Sequence, residues 1–402
     1  MPKSSLKPLK ILLGLFIIFV IIFMNAFGPY LGQQQLATLV LIPILTGIAF
    51  LFDSENLIVG KKEFLLFLLV FLTGFTTVFY YVGYDEFIRS MYLMLGAVMG
   101  AYISLGLTRK VDYSIYFHIG YILSILALFY IMIKEGNITP NFASEVNYRD
   151  RFMLNANAYS YYSVFGNFSL FYLYLKYRNR LLFILLIILP IIFLVIAFAT
   201  QSRAGLVLII LINVLFWLFV NKQYNLTKFK KFTRTVLYVI IFVSLAIKFL
   251  QIYEGSRISN RVSQTAERED SREVLFKEGI RVFTENPILG VGVGQFPFYN
   301  SYHLFTHNSY AEILSEQGLV GSLLLFALYL SPAIKSFRNF KENSRSPILR
   351  CHLLFFIVFL LYNNAYVFYK FPFSMMYFFL IISLQNKLSD QDLKKDALLI
   401  NK

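Results

Sequence analysis

The 402-residue chain reads as an all-α polytopic membrane protein with about twelve transmembrane helices and a long helical outer loop. Three observations predict this class. Apolar residues make up 58% of the chain and charged residues 15%, where a soluble domain carries about 25% charged residues. So few charges cannot cover a water-facing surface. Apolar runs of roughly 20 residues, the length needed to cross the hydrocarbon layer, recur along the chain. Lys and Arg cluster in alternate connections between those runs, as cytoplasmic segments do.

The runs are 11–27, 36–52, 64–82, 87–106, 113–133, 157–175, 181–199, 203–220, 235–252, 318–334, 351–369 and 372–386. The first follows Lys3, Lys7 and Lys10. It is longer than a signal-peptide core and no small-x-small cleavage site follows, so it reads as a retained span. The fourth and sixth runs are the most polar and the last is short. No fixed-period repeat or low-complexity linker interrupts the chain, so 1–402 reads as one integral membrane domain.

With both termini inside, every inside segment is basic, from Lys61/Lys62 and Arg109/Lys110 to the cluster Lys335, Arg338, Lys341, Arg345 and Arg350. The net charge of +15 therefore reports topology and contact with anionic lipid, and no nucleic-acid partner is expected. One cysteine, Cys351, excludes an intramolecular disulfide. Four histidines and that cysteine do not build a dedicated transition-metal site. The many Phe and Tyr residues are expected to face lipid or mark interfaces.

Two outside segments stand out by length, 134–156 and 253–317. A long charged loop on a bundle with otherwise short connections is where function concentrates. Within the second, DSREVLFKEGIRVFTENP predicts a helix over 271–285, with a cap at Asp270 or Ser271 and a stop at Pro287. Arg272, Leu275, Phe276, Gly279 and Phe283 share one face, and Arg272 falls in the first turn, where free N–H groups suit a phosphate. NPILGVGVGQF follows. Its glycines, Gly290, Gly292 and Gly294, lack dinucleotide-fingerprint spacing and read as a turn where backbone passes close to helices or ligand. THNSYAEILSEQGLVG then starts a helix with Thr306 as its expected N-cap and His307 in its first turn. A helix N-terminus disfavours imidazolium, so His307 should tend to be neutral and able to accept a proton. Gly318 and Gly321 permit close packing or a bend as the helix enters the tenth span.

TQSRAG puts Arg203 between the seventh and eighth spans at the outer face. An arginine there either snorkels or holds an anion, and Arg203, Arg272 and Arg281 together suit one phosphate group. The sixth span carries Asn157, Ser160, Ser163 and Asn167 on one stripe, either for interhelical hydrogen bonds or as the wall of a polar substrate path. His118, His352 and Cys351 read as packing residues, His303 as loop surface, and Asp85, Glu86 and Arg89 as a rim ion cluster.

These pieces resemble the bacterial O-antigen ligase and Wzy-type polymerase family. The resemblance rests on SRAG at an outer helix start, two loop arginines nine residues apart (Arg272 and Arg281), NPILGVGVGQF, and HNSYAEILSEQGLVG. It covers 195–335. RFMLNANAY (151–159) is a weaker upstream element, with Met153 and Ala156 where relatives usually carry Gly and Pro. The resemblance implies a GT-C-type glycosyltransferase of the bacterial cytoplasmic membrane, working on its outer face. Its implied donor is a glycan on undecaprenyl pyrophosphate, its acceptor a glycan or lipid hydroxyl, with no metal or other cofactor. Arg203 and Arg272 would stabilise the pyrophosphate and His307 would deprotonate the acceptor. Arg281, Arg151, Asn157 and Asn308 are the expected substrate-binding residues. Glu312 and Glu316 are expected only to position or support. Polymerisation is favoured over ligation to a lipid A core or protein. A flippase is the reading of another class, against which stand the missing repeat of broken helices and the length of the outer loop.

Overall fold

The computed structural model describes residues 6–52, 61–78, 81–109, 112–141, 152, 155–221, 247, 251–256, 259 and 271–400. Among them the regular structure is helical. The helices are α1 (Pro8–Tyr30), α2 (Gln34–Phe52), α3 (Lys62–Thr73), α4 (Tyr84–Arg109), α5 (Ser114–Lys134), α6 (Ala156–Tyr177), α7 (Arg180–Ala199), α8 (Arg203–Val220), α9 (Ser271–Glu285), α10 (Ser309–Glu342), α11 (Pro347–Tyr362) and α12 (Pro372–Ile400). Helices stand at each expected run except 235–252, which lies almost wholly outside the described residues.

Among the described residues, 7 helices are long and apolar enough to cross a membrane: α1, α2, α4, α5, α7, α8 and α10. The expected count of twelve is therefore not established. α3 has 12 residues and α11 has 16, both short of a full crossing. α3 stops at Thr73 instead of running to 82, because the chain turns at Gly74. There the Tyr81 hydroxyl donates to the Gly74 carbonyl at 2.8 Å.

The chain divides into two compact units. One comprises Met1–Ser124, Asp270–Asn343 and His352–Lys402; the other comprises Ile125–Glu269 and Ser344–Cys351.

In the first unit, α4 packs along α12 through residues four apart: Gly96, Gly100, Ser104 and Thr108. A Cβ at Gly96 would stand 2.9 Å from Pro372 Cγ, and one at Gly100 3.1 Å from the Pro372 carbonyl. Ser104 Oγ donates to the Met376 carbonyl at 2.6 Å, and Thr108 Oγ1 to Ser383 Oγ at 2.6 Å. Small residues let the backbones approach, and the hydroxyls bind across the seam, each worth about 1 kcal/mol in a membrane. Aromatic residues were expected mainly at lipid and interfaces, yet many fill this core. Phe359 stacks on Phe378 with centroids 4.7 Å apart, and Tyr329 meets Phe359 edge-on at 5.2 Å. Flat rings fill the gaps among α10, α11 and α12 that small residues would leave open. His118 packs here too, buried beside Tyr377.

In the second unit, α6 is buried on every side. Of its expected polar stripe, Asn167 bonds between helices, its Oδ1 accepting from Asn213 Nδ2 of α8 at 2.9 Å, while Asn167 Nδ2 donates within α6 to the Ser163 carbonyl at 3.0 Å. Phe171 stacks on Phe216 of α8 with centroids 4.1 Å apart. Buried Arg350 donates from Nη1 to the Phe219 carbonyl at 2.6 Å, covering a backbone acceptor in the last turn of α8.

Candidate functional site

Each expected site residue lies in one unit or the other. Arg151 lies outside the described residues. Asn157 and Arg203 belong to the second unit. Arg272, Arg281, His307 and Asn308 belong to the first.

The SRAG turn has a clear local logic. Ser202 has extended backbone and accepts the Gly205 N–H on its hydroxyl at 3.3 Å, which makes it the N-cap of α8. Arg203 is therefore the first residue of the helix, and it is half-buried. Gly205 is required because α6 passes directly over it: a Cβ there would sit 2.3 Å from Ser160 Oγ. Asn157, in the first turn of α6, gives its N–H to Asn155, the cap of that helix.

In the first unit, α9 runs over 271–285 as expected and places Arg272 in its first turn, half-buried. Its buried stripe differs from the expected one. Leu275 and Val282 are buried with Gly279, whereas Phe276 is 41% exposed. Spacings of three and four residues admit two neighbouring stripes, and contact with α10 selects the one containing Val282. Arg281 is engaged locally. It pairs with Glu278 at 2.9 Å and Glu285 at 2.7 Å, and donates to the Tyr299 carbonyl at 2.7 Å. That fork ties the loop after α9 back to the helix.

The glycine loop and the helix that follows form a single joint. α10 breaks at Gly318, whose φ is 60° and ψ −154°, as the glycine there led one to expect. The break interrupts the helical ladder and frees the carbonyls of Ser315 and Glu316. They accept instead the N–H groups of Val291 (2.9 Å) and Gly292 (2.8 Å), while Leu319 and Val320 donate to Pro287 (2.8 Å) and Ile288 (3.3 Å). The four bonds are exchanged between loop and helix, so the groups released by the break are paired again. Contact this close needs glycine on both sides. A Cβ at Gly290 would meet Glu316 C at 2.4 Å, and one at Gly318 would meet the Ile288 carbonyl at 2.4 Å. Gln295, fully buried, completes the anchor by accepting from Val82 and Gly83 N–H, both at 2.9 Å.

The turn before α10 corrects one expectation. Asn308, not Thr306, is the N-cap: its side chain accepts from Tyr310 N (2.9 Å) and Ala311 N (3.1 Å). Thr306 instead turns its hydroxyl to a carboxylate further along the helix. His307 precedes the cap rather than occupying the first turn. It is half-buried and has a left-handed backbone, φ 55°.

At the centre of this turn lies a buried ion cluster. Lys370 Nζ stands 2.8 Å from Glu312 Oε1 and 2.6 Å from Glu316 Oε2. All three side chains are almost wholly buried. Glu312 Oε2 also accepts from Thr306 N at 3.0 Å and from Thr306 Oγ1 at 2.7 Å. Glu316 Oε1 accepts from Gly294 N at 2.9 Å. Burial works against the Lys370 ammonium, but the two carboxylates outweigh it and hold its pKa above the ordinary lysine value. The supporting role expected of Glu312 and Glu316 thus has a definite geometry, and it centres on a residue the motif did not include. Lys370 is a lone cation in the aromatic stretch YVFYKFPF, and that isolation was its only sequence signal. The same stretch receives the start of α10: Ser309 N donates to the Asn363 carbonyl at 2.8 Å, and Ser309 Oγ to the Tyr366 carbonyl at 2.9 Å.

Comparison with known proteins agrees with the motif resemblance. Residues 188–326 match the family described as O-antigen ligase. The matched stretch begins within α7 and ends within α10, and it contains Arg203, Arg272, Arg281, His307 and Asn308. No curated protein sequence matches the chain.

Proposed function

We propose that this chain, whose residues 188–326 match the family described as O-antigen ligase, is a membrane glycosyltransferase that polymerises oligosaccharide repeats carried on undecaprenyl pyrophosphate. It works on the outer face of the bacterial cytoplasmic membrane, with both termini inside. The observation that carries the reading is that the family match spans SRAG, α9 and the HN turn together.

The acceptor hydroxyl oxygen attacks the anomeric carbon of the donor, and the new glycosidic bond forms as the bond to the pyrophosphate oxygen breaks. That oxygen leaves with the bonding electron pair, and the anomeric centre inverts. The leaving pyrophosphate needs charge stabilisation more than a proton, and guanidinium groups supply it. Arg203 and Arg272 take this role. His307 accepts the proton of the attacking hydroxyl. Asn308, Asn157, Arg281 and Arg151 are the proposed substrate-binding groups; for Arg281 and Asn308 this would come on top of the local bonds described above.

Ligation to a lipid A core or protein acceptor would use the same chemistry with a different hydroxyl. The test is reconstitution with the lipid-linked repeat as the sole glycan, resolved on a gel. A ladder of lengths supports polymerisation. Transfer only when a separate acceptor is added supports ligation, and translocation without transfer supports a flippase. Arg203→Ala or Arg272→Ala is expected to slow transfer by about 100-fold or more, and His307→Ala by a similar factor.

A further inference from the structure

We infer that Lys370 and Glu312, through Thr306, form a positioning device that holds His307 for proton transfer; the inference rests on the role of His307 proposed above. The geometry is a relay that spans the histidine. Lys370 holds one oxygen of Glu312, at 2.8 Å, and leaves the other for Thr306. The Thr306 hydroxyl donates to Glu312 Oε2 at 2.7 Å and accepts the N–H of Asn308 at 3.2 Å. Thr306 N donates to the same carboxylate oxygen at 3.0 Å. Of the two neighbours of His307 in the chain, Thr306 is therefore bound to the Glu312 carboxylate and Asn308 to the Thr306 hydroxyl.

His307 needs such a frame. A left-handed backbone at a non-glycine residue costs on the order of 1–3 kcal/mol and persists only where the surroundings over-determine it. Here the residue before is tied to a buried carboxylate and the residue after caps α10. Glu316, the other partner of Lys370, holds Gly294 in the glycine loop. One buried ammonium thus fastens the HN turn and the glycine loop to the connector between α11 and α12. A lone carboxylate at Glu312 would be too costly to bury, so Lys370 is required for the relay to exist. Lys370, Glu312 and Thr306 act through His307 and are positioning residues.

The experiment uses the reconstituted protein with an undecaprenyl-pyrophosphate-linked repeat, measuring kcat, donor KM and thermal melting. Thr306→Val removes the hydroxyl and leaves the ion cluster intact. It is expected to lower kcat by about 10- to 100-fold, with donor KM close to wild type and only the modest fall in melting that the loss of one buried hydroxyl brings. Thr306→Ser, which keeps the hydroxyl, should restore kcat. A purely structural role for Thr306 would not separate kcat from melting in this way. Wild-type kcat in Thr306→Val, beside an inactive His307→Ala, overturns the inference and leaves the proposed function standing. Wild-type kcat in His307→Ala removes the role of His307 and the inference with it. Should Thr306→Val fail to fold, Thr306→Ala tests the same link, and wild-type kcat in that variant equally overturns it.

Discussion

Gly290 and Gly318 are the positions where a single methyl group matters most. Each has a positive φ, and at each the backbone of the other segment occupies the place of a Cβ. Gly290→Ala is expected to destabilise the protein by about 2 kcal/mol or more through strain and collision, read as a lower melting temperature in detergent. Gly47→Ala is the control: it lies in α2 with open space around it, and alanine there should be neutral or slightly stabilising. The run of alternating glycines read correctly as a close backbone approach, because glycine spacing is a local signal. Thr306 was misread because Thr306 and Asn308 are both good caps two residues apart. What decides between them is Glu312, whose carboxylate claims the Thr306 hydroxyl. Lys370 was invisible as a partner because it stands 58 residues beyond Glu312 in the chain, and no helical periodicity reaches that far.

Between elements, joints hold the first unit, and the buried ions are the most exacting of them. Lys370→Met would leave two carboxylates buried with no cation, an arrangement expected to cost about 3–5 kcal/mol. Melting of this variant against wild type measures that cost. The sign of its pH dependence follows from the raised Lys370 pKa. The stabilisation is fully present below the unfolded lysine pKa of about 10.4. It is lost as pH rises through the higher folded value. Wild type should therefore lose its advantage over Lys370→Met in strongly alkaline solution, and also in acid, where the two carboxyls of the variant protonate and need no cation; an advantage that persists unchanged in strongly alkaline solution would contradict the cluster. Helix positions were legible because apolar runs and caps are local. The seam between α4 and α12 was not, since a stripe of small residues names no partner.

For the whole molecule, charge in the connections predicts orientation, and the buried cysteine makes that testable. Cys351 has 0% exposure and should stay silent to a membrane-impermeant maleimide. A cysteine replacing Lys277, on the exposed face of α9, should label from outside intact cells. One replacing Lys341, exposed near the end of α10, should label only after the membrane is opened. The reverse pattern would invert the topology and put the proposed chemistry on the wrong face. The resemblance to the O-antigen ligase family was legible because SRAG, the glycine loop and the HN turn are short motifs whose glycines and caps the fold requires. The number of spans was not: hydropathy alone treats α3 and α11 like the longer helices, and it cannot see where a helix stops.

The most direct test of the account follows release of undecaprenyl pyrophosphate from a lipid-linked repeat as glycosidic bonds form. The comparison is wild type against Arg272→Ala and His307→Ala in the same reconstituted membranes. One pyrophosphate should be released per bond formed in wild type, and both quantities should fall together by about 100-fold or more in each variant. Wild-type rates in either variant, or bond formation without pyrophosphate release, would contradict it.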